Sequence, residues 1–403
     1  MLEAIVLLLL LVVLASFVVR GDGMAPTHPM DQAFVYTDLR ITKSDAGTWR
    51  FEYPHLQYSG GISSSLLIGA YKLLVSPSNE TLNWHARLLG CSLFFIASFA
   101  LLQVSVAPRI LRVLSLTVIA TSGFALLEPT SELYAAAYFT GFLYFMRSDA
   151  PWSAAVLLAL FGLAKVELLL ASALCLAVWV ATERDTKVRL SAAAAYLACV
   201  VALCLPALYL YGRDGLLGGR AFSALSQHFA ELYCGINPMQ CAALGGGWDN
   251  PNPIVELLFP GAASVADVIL HYPAQYTRLL ALGFRESFEN ILIALNGTVF
   301  LLAIALSSRS TMDASDRRLC TLVLLTTAAS LLPALFVAFV HIRYVARFSP
   351  AILVVTLVML GFSGKHQTRV NWISMAVAAT LGIIATMQAL LLFPRIAASP
   401  HGF

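Results

Sequence analysis

The chain has 403 residues, 59% of them hydrophobic and 12% charged, with a mean hydropathy of +0.80. A soluble domain carries about 25% charged residues and cannot hide so much apolar surface, so the composition excludes a water-soluble enzyme and implies a polytopic membrane protein. A net charge of +3 without any run of five like charges excludes a nucleic-acid binder and a charged tail.

A membrane span needs about 20 apolar residues, and eleven runs qualify as candidates: 2–19, 87–106, 110–126, 132–147, 152–164, 167–182, 190–211, 288–306, 319–340, 348–364 and 371–393. The expected fold is all-α, a single membrane domain over 1–403 with about eleven transmembrane helices. Two long outer loops, 20–86 and 212–287, would carry interfacial amphipathic helices. The first run has no Lys or Arg before it and reads as an anchor rather than a cleaved signal. With the N-terminus cytoplasmic, the short inner connections hold eleven Lys and Arg against four in the short outer ones. The positive-inside bias therefore sets the N-terminus in and the C-terminus out. Sixteen of the 22 acidic residues then fall on the outer face.

In chain order, the first outer loop contains amphipathic stretches at 30–41 and 63–76, with Asp31, Asp38, Arg40, Lys43, Arg50, Glu52 and His55. Asp31 and Asp38 are seven apart and would share one helical face. A carboxylate at a membrane surface suits a general base, although Asp31 reads equally well as a helix N-cap. The next outer connection, LEPTSELY, places Glu128 and Glu132 before a span, either as partners of the helix dipole or as assisting carboxylates. Lys165 and Glu167 interrupt the apolar stretch from 152 to 182. A buried charge pair in one long helix is costly, so two short segments turning at the surface are expected. Lys165 there is either an ion-pair partner or a cation for phosphate.

The second outer loop shows helical stretches at 220–233 and 263–282, joined by GGGWDNPNP (245–253), and reads as a lid on the bundle. Cys234 and Cys241 lie in its polar part with six residues between them, suitably spaced for a disulfide in an oxidising compartment. The other five cysteines fall in or beside apolar runs and read as core residues. HIRYVARFSP (341–350) supplies His341, Arg343, Tyr344 and Arg347. Arg343 and Arg347 stand i, i+4, either as a fork for phosphate or as interfacial anchors. No nucleotide-binding, hydrolase or zinc-protease motif occurs in a credible context.

The run DQAFVYTDLRI…WRFEY…SGGISSSLLIGAYKLLVSPSNETLNWHARLLG after one N-terminal span resembles the integral-membrane glycosyltransferases of the GT-C superfamily. It looks most like the protein O-mannosyltransferase and aminoarabinose-transferase-like branch. Members open with an acidic D-[DE]-x-[FY] motif, here Asp31-Gln32-Ala33-Phe34, followed by an interfacial helix and "ARL", here Ala86-Arg87-Leu88. GLAKVELLLA (162–171) is similar to the family's turn between two short spans, and HIRYVARFSP to its late "RY…P" motif. The resemblance implies a GT-C-like fold with Asp31 as catalytic base and Glu128 or Glu132 assisting. It further implies that Lys165, Arg343 and Arg87, with Arg347 beside them, bind the phosphate of a polyprenyl-phosphate sugar donor. Asp38, Arg40 and Tyr344 would assist. Gln32 departs from the paired acids, which leaves a divalent metal open. The expected partners are this donor, membrane lipid and an acceptor glycan, lipid or protein, with no nucleic acid. The expected location is a bacterial inner membrane, with the site on the outer face.

Two rivals stand beside this reading. A lipid-linked glycan polymerase or ligase would lean on the late loop's Arg213, Arg220, His228, His271, Arg278 and Arg285. A lipid-sugar transporter or flippase would need charges at mid-span and paired repeats, and the sequence displays neither.

Overall fold

The computed structural model describes residues 5, 40–43, 49–52, 61–75, 79–123, 131–217, 220–247, 250–295, 298–307, 312–336, 340, 342–363 and 376–383. Apart from one hairpin, the elements among the described residues are helical, as long runs rich in Leu and Ala favour. The hairpin pairs β1 (Arg40–Lys43) with β2 (Trp49–Glu52), antiparallel, with Arg40 opposite Glu52. The expected amphipathic helix at 30–41 therefore fails at its end, where Arg40 and Ile41 are strand. The β-branched Ile41 and Thr42 in RITK and the aromatic Trp49 and Phe51 in WRFE favour an extended pairing there. Residues 30–39 lie outside the described residues.

The bundle follows as α1 (Ile62–Val75), α2 (Asn79–Ser105), α3 (Arg109–Gly123), α4 (Ser131–Arg147), α5 (Pro151–Gly162), α6 (Val166–Thr182) and α7 (Thr186–Leu217). The segment that follows folds as α8 (Arg220–Ile236), α9 (Pro238–Leu244), α10 (Asn252–Leu258), α11 (Val265–His271) and α12 (Pro273–Leu295). The chain continues through α13 (Thr298–Ser307), α14 (Ala314–Phe336), α15 (Ile342–Ala346) and α16 (Ser349–Met359).

Among the described residues, three helical stretches are long and apolar enough to cross a membrane: His85–Ser105, Thr186–Leu205 and Ala314–Phe336. A fourth would be α12 and α13 together, but the two are bent by 93°. The apolar run 288–306 is thus not one straight span, and its helix begins fifteen residues earlier, at Pro273. The run 348–364 also differs from a span. Its helix α16 has 11 residues, about 16 Å at 1.5 Å per residue, and every one of them is buried. Its apolar character reflects protein neighbours on all sides, which hydropathy alone does not distinguish from lipid. Most of 2–19 and 371–393 lies outside the described residues. The stretch 152–182 does divide into two helices, α5 and α6, reversing at 163–165.

α4 is the axis of the main core, with Ser131 through Leu143 all buried. Small residues allow this close approach: a Cβ on Gly90 of α2 would stand 2.7 Å from Leu133, and one on Gly141 would stand 2.9 Å from Leu157 of α5. Phe139, Phe142, Phe161, Phe348 and Trp179 stack edge-on or tilted around it. At its C-terminus Arg147 meets Asp316 of α14 at 2.5 Å, with both side chains nearly inaccessible. Arg318 of α14 also pairs with Glu183 at the end of α6 and donates to the Thr182 carbonyl at 3.1 Å.

The α8–α12 segment has a small core of its own, made by Leu225, Phe229 and Leu232 of α8 with Val255, Phe259, Val268, Tyr276 and Leu279. The expected helix at 263–282 is split between Tyr272 and Pro273. Proline has no N–H to continue a helix but fits the first turn of the next one. Ser264 starts α11 by accepting from the Asp267 N–H at 3.1 Å.

A buried ion pair deprived of one partner leaves an uncompensated charge, at a cost of about 3–5 kcal/mol, whereas an apolar replacement of both is far milder. Arg147→Met and Asp316→Leu should each lower the melting temperature in detergent strongly, and the double variant should recover most of the loss. Thermal unfolding of the four proteins checks this.

Candidate functional site

Five residues from three segments far apart in sequence meet at the opposite end of α4: Glu132, Lys165, Arg343, Tyr344 and Arg347. Glu132 lies in its first turn and is fully buried. Lys165 stands in the α5–α6 reversal, extended at φ −153° and ψ 146° as the residue that precedes α6. Its ammonium contacts one carboxylate oxygen of Glu132, and Glu167 lies 3.5 Å away, partly exposed. Arg347, between α15 and α16, donates from Nη1 to the other Glu132 oxygen at 2.7 Å and is 1% exposed. Arg343 on α15 adds its charge from nearby.

Tyr344 joins these cations. Lys165 Nζ lies 4.8 Å from its ring centroid, and the guanidinium carbons of Arg343 and Arg347 lie at 5.7 and 5.6 Å. Arg347 also covers Phe348 at 5.2 Å. An aromatic face tolerates several cations because its quadrupole offsets part of their repulsion. The segment that delivers α15 is fixed from α12. Asn290 donates to the Val340 carbonyl at 3.0 Å, and the Val340 N–H donates to Ser287 Oγ at 2.7 Å.

The segment 220–282 brings α8 within the electrostatic reach of this cluster. His228 shares the buried face of Leu225, Phe229 and Leu232 and lies 3.9 Å from Glu231. Burial, with Arg343 and Lys165 nearby, pushes the His228 imidazole down to about 4. Half-buried Glu231 is pushed up, first by burial and then by Glu286, against the pull of Arg343. Its α8 neighbour Cys234 is bonded to Cys241 across the α8–α9 turn, with Cα atoms 5.3 Å apart.

Of the residues expected from sequence, the structure therefore brings together Glu132, Lys165, Arg343, Tyr344 and Arg347. Arg87 is buried on α2 and acts on Cys91 one turn along. Arg40 occupies β1. Asp31, Asp38, Glu128 and His341 lie outside the described residues. Within the late basic set, His228 feels the charges of Arg343 and Lys165, whereas Arg285 is exposed and paired with Glu289, and His271 is exposed at the end of α11. His228 carries a sequence signal: it falls on the i, i+3, i+4 apolar positions of α8, where a solvated histidine has no place.

Three cations surround one buried carboxylate, with a second carboxylate at the rim, so the cluster keeps a positive surplus. That arrangement suits an anion, and the planar Arg forks suit phosphate in particular. It does not fit a divalent cation: Glu132 is engaged by Lys165 and Arg347, and among the described residues no group of three His, Cys, Asp or Glu is placed to hold a metal. No protein-family model, curated protein or solved structure matches the chain.

Two outcomes follow. Glu132→Gln leaves Lys165 and Arg347 facing each other without their shared anion, and should cost about 3–5 kcal/mol of stability, read as a lowered melting temperature. His228 takes a proton near 6.5 in the unfolded chain but only near 4 in the folded one. Its contribution is complete above pH 6.5 and disappears as the pH falls toward 4, at most about 3 kcal/mol. Thermal scans from pH 7.5 to 4 should show this loss in the wild type and a flatter profile in His228→Asn.

Proposed function

We propose that the chain is an inverting glycosyltransferase that moves a sugar from a polyprenyl-phosphate donor to an acceptor hydroxyl at the outer face of the membrane. The observation that carries this reading is the convergence of Lys165, Arg343 and Arg347 on one buried carboxylate, with a net positive charge left over. A phosphate leaving group needs little protonation. Fixed cations in a poorly solvated site stabilise the charge that it gains as the sugar departs.

In this reading Lys165, Arg343 and Arg347 hold the donor phosphate, and Tyr344 keeps them grouped. Glu132 is a positioning residue, because both of its oxygens are engaged by cations and it is closed to substrate. Asp31 takes the proton from the acceptor hydroxyl. The oxygen attacks the anomeric carbon, the bond from that carbon to the phosphate oxygen breaks, and attack from the opposite face inverts the centre. The finer architecture belongs to the same proposal: a GT-C-like bundle of about eleven spans, N-terminus cytoplasmic, in a bacterial inner membrane. The Cys234–Cys241 disulfide supports an oxidising outer compartment for the second loop.

One observation favours the polymerase or ligase reading as well, namely that His228 from the late loop feels the charges of Arg343 and Lys165. The two readings separate on which residue is the base. The test is a glycolipid and glycan mass profile of a deletion strain complemented with equally expressed variants. Wild type should restore one sugar-sized mass unit. Asp31→Asn should lose about 10²–10⁴ of the rate, and Lys165→Ala about 10²–10³. Arg285→Ala, on an exposed helix face, should behave as wild type. Full restoration by Asp31→Asn with loss in His228→Asn would move the base to the late loop. No mass unit differing between deletion and wild type would overturn the transferase reading.

A further inference from the structure

Lys165 is presented by the reversal between α5 and α6, and the start of α1 lies directly against that reversal. Gly61 adopts φ +145°, a conformation that disfavours any side chain. A Cβ there would stand 2.3 Å from the Ala164 carbonyl oxygen and 2.4 Å from that of Leu163. Both are backbone atoms and cannot swing aside. Two residues further on, Ser63 makes two bonds to the same region and a third to α4. Its N–H donates to the Leu163 carbonyl at 3.3 Å, its hydroxyl donates to the Leu160 carbonyl at 2.8 Å, and its own carbonyl accepts from the Tyr138 hydroxyl of α4 at 3.5 Å.

The reversal is also closed from its other side. A Cβ on Gly162 would stand 2.1 Å from the Ser172 hydroxyl, which is paired with Tyr196 of α7 at 2.7 Å. The backbone at 162–164 is therefore gripped between α1 on one side and α6 with α7 on the other. Lys165 is the next residue. Its position over Tyr344 and against Glu132 depends on where that grip leaves the chain.

We propose that Gly61 and Ser63 are positioning residues for Lys165: α1 uses the absence of a side chain at 61 and the hydrogen bonds of Ser63 to fix the reversal that aims the ammonium into the cation cluster. The proposal rests on the reading of that cluster as a phosphate site. Ser63 grips the carbonyls of Leu160 and Leu163, on the first strand of the reversal. Gly61 sets how closely α1 can approach them. A methyl at 61 pushes Leu163 and Ala164 away and carries Lys165 with them.

The experiment uses the full chain in lipid nanodiscs, with geranyl phosphate as probe and binding measured at low and high salt. Wild type should bind in a salt-sensitive manner, and Lys165→Ala should weaken binding about tenfold. Gly61→Ala and Ser63→Ala should each weaken it several-fold, and Ser63→Thr, which keeps the hydroxyl, should restore it. Residues that act through Lys165 lose their effect once the lysine is gone, so Gly61→Ala/Lys165→Ala should bind no worse than Lys165→Ala alone. Gly245→Ala is the matched control, because Gly245 also has positive φ but nothing lies within 4 Å of its Cβ position. It should bind as wild type.

Additive losses in the double variant, or wild-type binding by both Gly61→Ala and Ser63→Ala, would overturn the positioning role and leave the phosphate site standing. Absence of salt-sensitive binding by the wild type would overturn the phosphate site and the positioning role together. Should Gly61→Ala not yield folded protein, the Ser63→Ala and Ser63→Thr pair, with its own Lys165 double variant, decides the question.

Discussion

The constraint on which the structure depends is a carboxylate without water. Glu132 is fully buried, and such a charge is sustained only if cations stand against it. Lys165 and Arg347 supply them from positions 33 and 215 residues further along the chain. Satisfying this one group fixes three connections at once: the start of α4, the reversal after α5 and the turn after α15. The short elements near it make sense in these terms. α5 has 12 residues and α15 has five, because each ends where a cation must be delivered rather than where a membrane ends. The energetic return in stability is small or negative relative to an apolar core. What the arrangement secures is a particular placement of cations.

The same helix carries a matching constraint at its far end. Arg147 lies 15 residues after Glu132, about 22 Å along the axis, and its partner Asp316 is as deeply buried as Arg147 itself. Between the two ion pairs α4 has no charge, and small residues let α2 and α5 approach its backbone. A helix pinned by charge at both ends cannot slide along its axis without leaving a charge unpaired. The cation cluster is thus held at a fixed depth in the bundle, and the aromatic residues around Phe139 fill the intervening layer.

Much of this was legible in the sequence, and the reasons for the remainder are physical. Lys165 and Glu167 interrupting an apolar stretch indicated the α5–α6 reversal, because a charge pair in the middle of a long span is costly. Arg343, Tyr344 and Arg347 stood together in HIRYVARFSP, and the cysteine spacing matched the observed disulfide. The partner of these cations was less legible. Glu132 reads from sequence as a dipole partner or a catalytic acid, and only the packing shows both its oxygens engaged. Hydropathy also read α16 as a span, since an apolar helix surrounded by protein has the same composition as one surrounded by lipid. The Gly61 contact leaves no trace in sequence, because a glycine that permits close approach looks like any loop glycine.

The positive surplus decides which roles the acids can hold. Inside the cluster Glu132 organises the cations, and its burial closes it to an acceptor hydroxyl. Glu167 is partly exposed at the rim but faces Lys165, and Glu231 sits against His228 on α8. Glu132 and Glu167 are thus both coupled to cations of the cluster. Under the proposed function, a base for the acceptor hydroxyl would come from a segment that does not build the cluster, and Asp31 of the 20–86 segment is the residue assigned to it there. In the proposed transferase reading the division of labour follows from charge: the cations held by the buried acid would serve the leaving phosphate, and a separate carboxylate, not committed to holding them, would serve the nucleophile. Placing both duties on one carboxylate would require Glu132 to release Lys165 and Arg347 as the donor's phosphate comes to rely on them.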